Sequence, residues 1–496
     1  MSFNYLSTIV FLPVVAAILI AALPKLSDAL IKRIAAVFTF IPLILAIIIF
    51  LRFDRSSSAA GAIQFEENLA WIPSLNAFYH LGVDGVNLPL VVLTAFLGFL
   101  VVLISWKIDL RVRGYFACLL LMETSILGVF CALDLLLFFL FWEIEVIPMY
   151  FLISIWGSGR KEYSAIKYVI YTLFGSALML AGILSLYFTT GSLSMLDLAK
   201  SGLGAFTPVI PLSTIFFLLF TGFAVKLPVF PLHTWLPDAH TDAPTAGSVM
   251  LAGALIKMGG YGMIRICVSI FPQVARDYAS LLVIIAVVST LYGAALTLRQ
   301  TDLKRLIAYS SVSHMGYVLL GIFALGQVSL TGAILQIFSH GFITGLLFAV
   351  AGLVMHNTGE RDLKKLGGLA RQMPIIAVVF SVAGLGALGL PSTSGFAAEF
   401  LVFVGSFSST IVSGIQVYTL LAILGVVLAA GYILWMIQRV FYNPVLEQYN
   451  GVKDADVLEK IYMFAFIAVI MLVGIYPAIL TDIINLGVLP MVSLLG

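Results

Sequence analysis

The chain has 496 residues, of which 61% are hydrophobic and only 10% charged, with a mean hydropathy of +1.12. A soluble domain carries about 25% charged residues, so a soluble globular fold is excluded and a polytopic membrane protein is indicated. The net charge of +2 gives no purchase for nucleic acid, and Cys118, Cys131 and Cys267 stand singly in apolar runs without CxxC spacing, so neither a zinc site nor an iron–sulfur ligand set is visible.

A helix needs about 20 apolar residues to cross a bilayer. In chain order, fourteen runs qualify, over roughly 3–23, 30–51, 84–106, 114–132, 134–156, 163–190, 209–236, 243–268, 279–298, 304–325, 329–356, 374–408, 414–442 and 460–488. The expected fold class is therefore all-α with about 14 transmembrane helices. The seventh and twelfth runs are longer than one crossing needs. The longest loop is 52–83, with Ser56-Ser57-Ser58 and Glu66-Glu67. The loops after odd-numbered spans hold 19 lysines and arginines, against 4 on the opposite face (Arg52, Arg55, Lys200 and Arg276). Basic loops stay inside. The expectation is an integral protein of a bacterial inner or plasma membrane, with both termini and the 52–83 loop outside.

The seventh run breaks at Lys226-Leu227-Pro228, and the twelfth at Leu390-Pro391-Ser392-Thr393-Ser394-Gly395. Proline removes a backbone donor and clashes with the preceding turn. At membrane depth such a break survives only where protein or a water-lined cavity serves the freed groups. Paired interrupted helices point to an inverted-repeat transporter core. The spacing agrees, since Glu143 to Lys226 is 83 residues, His314 to Glu399 is 85, and the halves are offset by 171 to 173. The organisation expected is an N-terminal three-helix segment (1–112), two five-helix repeats of opposite entry (113–268 and 279–442), and a loop with a last helix (443–496). Against this stands the frequency of proline in membrane helices, as at Pro13, Pro42, Pro89 and Pro148.

Lys226 lies deep in an apolar run, where a lone ammonium costs roughly 2.5–3.5 kcal/mol even on the lenient insertion scale. Glu143 is the expected partner. Burial favours the neutral form of each group and pairing favours the charged form, so separating them prompts Lys226 to release its proton. A static ion pair is the plainer alternative. Lys257, 31 residues on, is the next candidate carrier unless it snorkels to an interface, and Glu399 in the second broken helix is the terminal one. His314 and His340 suit proton relay by their titration range, or serve as interhelical hydrogen-bond partners. Glu123 has no evident cationic partner. Glu145, about 200° round a helix from Glu143, is expected to face elsewhere. Gly384-Leu-Gly386-Ala-Leu-Gly389 matches a dinucleotide fingerprint but follows no strand, so close helix packing explains it better.

The stretch Lys226-Leu-Pro-Val-Phe-Pro-Leu-His-Thr-Trp-Leu-Pro-Asp-Ala-His240, followed by Ala243-Pro-Thr-Ala-Gly-Ser-Val249, resembles the signature of the antiporter-like membrane subunits of respiratory complex I, Mrp-type cation/proton antiporters and membrane-bound hydrogenases. Phe141-Trp-Glu143 with Pro148-Met-Tyr, Gly82-Val-Asp84-Gly85 with Leu88-Pro89, and Ser310-Ser-Val-Ser-His314 fit the same family. Glu399, where relatives of other types usually carry lysine, makes the likeness greatest to the M-type subunits of complex I. The resemblance implies proton translocation, with Glu143 and Lys226 as a modulated pair, Lys257 central and Glu399 toward the exit. It implies other membrane-arm subunits on both flanks within the lipid bilayer. It places no cofactor on this chain, and leaves NAD, FMN, iron–sulfur clusters and quinone to partner subunits. The Trp-Glu-x-Glu pattern at Glu143 and Glu145 is similar to cyanobacterial and plastid homologues, which leaves NADH or ferredoxin as donor open. An Mrp-type or hydrogenase-type subunit is the alternative.

Overall fold

The structure, a computed structural model, describes residues 3–23, 25–56, 60–204 and 206–495. Two long helices, α1 (Tyr5–Ala22) and α2 (Asp28–Arg52), lead to an antiparallel hairpin of β1 (Gln64–Ile72) and β2 (Ala77–Val83). Then come α3 (Leu88–Ile104), α4 (Val112–Cys131), α5 (Leu135–Ile144), α6 (Val146–Trp156), α7 (Lys161–Thr190) and the short α8 (Met195–Ser201). The first interrupted helix is α9 (Leu212–Lys226) with α10 (Trp235–Asp242), followed by α11 (Thr245–Val268) and the short α12 (Pro272–Asp277). The second half runs α13 (Ala279–Leu298), α14 (Leu303–Phe323) and α15 (Gln327–Thr358), then the second interrupted helix, α16 (Pro374–Ala387) with α17 (Ser394–Phe407), and α18 (Ile415–Tyr442). The chain closes with α19 (Val457–Ile475) and α20 (Ala478–Ser493).

Among the described residues, with α5 and α6 counted together as Leu135–Trp156, eleven helices are long and apolar enough to cross a membrane. The other three expected spans correspond to α3, 17 residues long, and to the two interrupted pairs. Helix starts are written in the sequence. Ser27 caps α2 by accepting from the Leu30 amide, Asp134 caps α5 through Leu136 and Leu137, and Asp302 caps α14 through Arg305. Each cap supplies an acceptor to an amide that has no partner within the helix.

Within the stretch 52–83, expected as a loop, residues 64–83 fold as the hairpin, and Ser57 and Ser58 lie outside the described residues. Asn76 takes the left-handed conformation that closes the turn. The hairpin ties three parts of the chain together. Glu67 accepts from the Leu6 amide at 2.8 Å, Asp134 accepts from the Phe78 amide at 3.1 Å, and the Gly61 amide donates to the Leu486 carbonyl at 2.9 Å. The start of α1 and the helix α20 thus share the hairpin's face of the bundle. The expected last span, 460–488, also needs correction. It ends at Ile475, and Pro477 begins a separate helix because it cannot continue the backbone ladder.

Burial sorts the helices into core and rim. In the most apolar stretch of each, α11 and α15 are 100% buried and α14 is 94% buried, against 33–39% for α1, α2, α7, α18 and α19. The buried helices carry Lys257, Arg265, Lys304, His314 and His340, and the rim helices turn side chains such as Ile170, Leu173 and Val427 outward. Polar groups in a membrane bundle face its interior, because hydrocarbon offers no hydrogen-bond partner.

Candidate functional site

The polar interior begins where α5 meets α6. Pro148 has no amide to donate to the Ile144 carbonyl, so α5 ends at Ile144 and Glu145 becomes the junction residue. Its side chain turns into the bundle. One carboxylate oxygen pairs with the Lys226 ammonium and the other accepts from the Tyr168 hydroxyl at 2.5 Å. The Trp142 and Tyr168 rings each lie 5.5 Å from the ammonium, close enough for cation–π attraction. The expected partner, Glu143, is not the one in contact. It is half-buried, and its buried Oε1 has no hydrogen-bond partner among the described residues. The two carboxylates do face different ways, as a separation of about 200° requires, and it is Glu145 that faces Lys226.

Lys226 is the last residue of α9. Beyond it the backbone leaves the helical path, and protein groups take up the freed polar atoms. The Trp235 indole donates to the Val225 carbonyl at 2.9 Å, and the Phe230 amide donates to Ser289 Oγ at 3.0 Å. The second break is closed likewise. Gly389 takes a φ of +77°, which glycine adopts at little cost, and the Ser339 hydroxyl donates to the Ser394 carbonyl at 3.0 Å.

Lys257 is fully buried on α11, between two stretches of widened π-type turns, Leu251–Leu255 and Met263–Val268. Such turns are frequent at functional sites. Gly259, two residues on, lets α11 press against the first break, where a Cβ would come within 2.6 Å of the Phe223 carbonyl and the Leu227 amide. The Lys257 ammonium lies 2.5 Å from His340 Nδ1. The His340 and His314 rings are 5.6 Å apart between centroids, and His314 Nδ1 lies 3.1 Å from Glu399 Oε1. Gln336 also donates to that carboxylate oxygen, at 3.4 Å. Lys257, His340, His314 and Glu399, each expected from the sequence as a carrier, therefore form one buried row.

Other polar residues stand apart from it. Glu123 is buried, and its Oε1 has no hydrogen-bond partner among the described residues. His233 packs against Phe230 and Tyr292, and His240 stacks on Phe348 at 4.5 Å. Sequence reasoning missed the pair of Arg265 and Asp84, whose two guanidinium nitrogens each lie 2.7 Å from one carboxylate oxygen. That bidentate contact fastens α11 to the segment between the hairpin and α3. The available signal was the Gly82-Val-Asp84-Gly85 motif, which places a carboxylate beside a glycine-lined turn. The glycine-rich stretch at 384–389 serves packing, since Gly384 lies against Ile433 and Ile437 of α18.

A helical bundle with two interrupted helices and a buried row of titratable side chains defines an antiporter-like membrane protein. Residues 132–429 match the family model described as NADH:quinone oxidoreductase/Mrp antiporter, transmembrane. The chain is 39% identical to NADH-quinone oxidoreductase subunit M of Rhodobacter capsulatus, covering 99% of this chain and 96% of the relative. It is also 39% identical to NAD(P)H-quinone oxidoreductase chain 4 1 of Synechococcus elongatus, covering 97% and 90%. Among solved structures, a chain of respiratory complex I from Thermus thermophilus with bound NADH superposes with a TM-score of 0.86 at 27% identity, covering 99% of this chain and all of that one. The chain belongs to the NADH:quinone oxidoreductase/Mrp antiporter family of membrane subunits.

Proposed function

We propose that this chain is the M-type, proton-translocating membrane-arm subunit of a quinone-reducing respiratory complex, working between other membrane-arm subunits on both flanks. The observation that carries this reading is the buried row Lys257–His340–His314–Glu399, with the Glu145–Lys226 pair set one helix packing away. Proton transfer needs donors and acceptors within hydrogen-bond reach, directly or through a water. The row provides that reach along the bundle interior. The pair provides a switch, because an ammonium held by a carboxylate keeps its proton, and one drawn away in a dry interior gives it up. The two titrations are coupled, so the proton belongs to the pair as a unit.

The electron carriers belong to partner subunits on this reading, and NAD, FMN, iron–sulfur clusters and quinone are bound there. Two equally similar relatives are named one for NADH and the other for NAD(P)H, which supports a donor chosen elsewhere in the complex. The two five-helix units, 113–268 and 279–442, are read as inverted repeats. Each runs through a span, a second polar span, a long helix, an interrupted pair and a closing helix with π-type turns.

Lys226→Ala in the assembled complex is expected to lower proton translocation by about a hundredfold or more, on the scale of a lost acid–base group. Reconstitution into vesicles with a pH-sensitive dye measures it, and near-normal pumping would reduce the pair to a structural role. We place the hairpin face outside, because the basic loops lie opposite. Cysteine at exposed Asn68 should then react with an impermeant reagent in intact cells, and cysteine at exposed Lys364 should not. The opposite labelling pattern would invert the direction of transport.

A further inference from the structure

We propose that protons reach the Lys226 pair from the basic face by a route along α7, collected by Asp242 beside Asp238 and delivered through the Tyr168 hydroxyl. The proposal rests on the reading of Lys226 as a proton carrier. Its entrance is a cavity of about 370 Å³ where the α6–α7, α13–α14 and α15–α16 connections meet the end of α10, lined by Arg160, Asp238, Asp242, Asp302, Arg305 and Arg361. That volume admits several waters, and the walls offer each of them polar partners.

From this cavity a polar stripe runs inward on one face of α7. Ser164, Lys167, Tyr168 and Tyr171 follow at i, i+3, i+4 and i+7, the spacing that stacks side chains on one side of a helix. Ser164 Oγ donates to Asp242 Oδ2 at 2.6 Å, and the Lys167 ammonium to Asp238 Oδ2 at 2.7 Å. The Tyr168 ring packs on Trp235 of α10 at 5.4 Å, so α7 and α10 form the two walls of the route. Tyr171 joins them again through the Thr234 hydroxyl at 2.7 Å. The Tyr168 hydroxyl is the inner end, since it donates to the Glu145 oxygen opposite the one that holds Lys226. Ser164 and Tyr168 are one turn apart, a rise of about 6 Å, and the proposed route requires a water to bridge the step between their layers.

The steps balance without a co-reactant. The Asp242 carboxylate takes a proton from the cavity, beside Asp238 held by Lys167 and Arg305, and gives it to water. That water passes a proton to the Tyr168 oxygen as the phenol releases its own to Glu145. Glu145 then protonates the Lys226 amine and is a carboxylate again. Phenylalanine at 168 keeps the ring and removes the only side-chain hydroxyl that touches Glu145 among the described residues.

The test uses the assembled complex in vesicles. Tyr168→Phe is expected to cut proton translocation by about a hundredfold, the low side of a lost proton-transfer group. Asp242→Asn, alone and with Asp238→Asn, is expected to slow translocation and to recover in millimolar imidazole buffer, a mobile proton carrier small enough for the cavity. Recovery is expected neither in Tyr168→Phe nor in Lys226→Ala, whose lesions lie deeper. Asp238 also pairs with Arg305, so if the double variant does not assemble, Asp242→Asn and Tyr168→Phe decide. Normal pumping by Tyr168→Phe, or an Asp242→Asn complex that is normal or impaired without imidazole rescue, overturns the route. If Lys226→Ala pumps normally, the proton-carrier reading fails instead.

Discussion

The two halves of the bundle each join a polar span to an interrupted helix by one buried contact, but with the chemistry exchanged. In the first half the span supplies the carboxylate, Glu145, and the interrupted helix supplies the base, Lys226 just before its break. In the second half the span supplies the base, His314, and the interrupted helix supplies the carboxylate, Glu399 just after its break. The scaffold therefore fixes where an acid and a base meet and leaves open which helix carries which. The strength differs as well. A carboxylate with a lysine is a charge pair at neutral pH, whereas a carboxylate with a histidine is one only while the imidazole is protonated. The first contact suits a switch that must be pulled apart, and the second a station that fills and empties.

The largest effect expected from this contrast is at Glu145. Glu145→Gln leaves a buried ammonium without its counter-charge, a loss that costs about 3–5 kcal/mol, and translocation should fall nearly as far as in Lys226→Ala. Glu143→Gln should do less, because Glu143 makes no ion pair among the described residues. Vesicle assays on both variants rank them, and a larger effect at Glu143 would return the switch to that residue. Next comes Glu399→Gln, which keeps the shape and removes the proton site. It should impair translocation while quinone reduction by the complex stays measurable. Glu399→Lys should retain part of the activity, since a lysine amine can take a proton from His314 as a carboxylate can. Equal pumping by wild type and Glu399→Gln would take the second contact out of the route. The smallest effect on pumping per assembled copy is expected at Arg265→Ala, which lies outside both contacts. It strands buried Asp84, at a cost of about 3–5 kcal/mol. The expected reading is a lower thermal midpoint and less assembled complex, with each surviving copy working. A full yield of inactive complex would draw Arg265 into the mechanism.

Much of the fold was legible because membrane spans are set by length and hydropathy, both local properties. The breaks were legible for a similar reason, since Pro228 and Pro391 act on their own turns. The hairpin was not, because β1 interrupts its alternation with Glu66-Glu67, and what orders that stretch is tertiary, namely Glu67 on the start of α1 and Asp134 on Phe78. The contact of His314 with Glu399 could be anticipated from matched spacing between halves. Lys257 with His340 could not, since two bases give no sign of attraction in a sequence. Glu145 was misjudged because the angle between two carboxylates on one helix says that they face apart, not which of them faces Lys226.

The way the two breaks are closed has a mechanical consequence. Protein atoms hold the loosened backbone, through Trp235 on the Val225 carbonyl, Ser289 on the Phe230 amide and Ser339 on the Ser394 carbonyl. A helix meant to swing would have to surrender those bonds in hydrocarbon at each cycle, at several kcal/mol for each polar group left bare. The frame accordingly behaves as a stator. On the proposed reading, charge would advance by rotation of a few long side chains, while the helices that carry them stay in place.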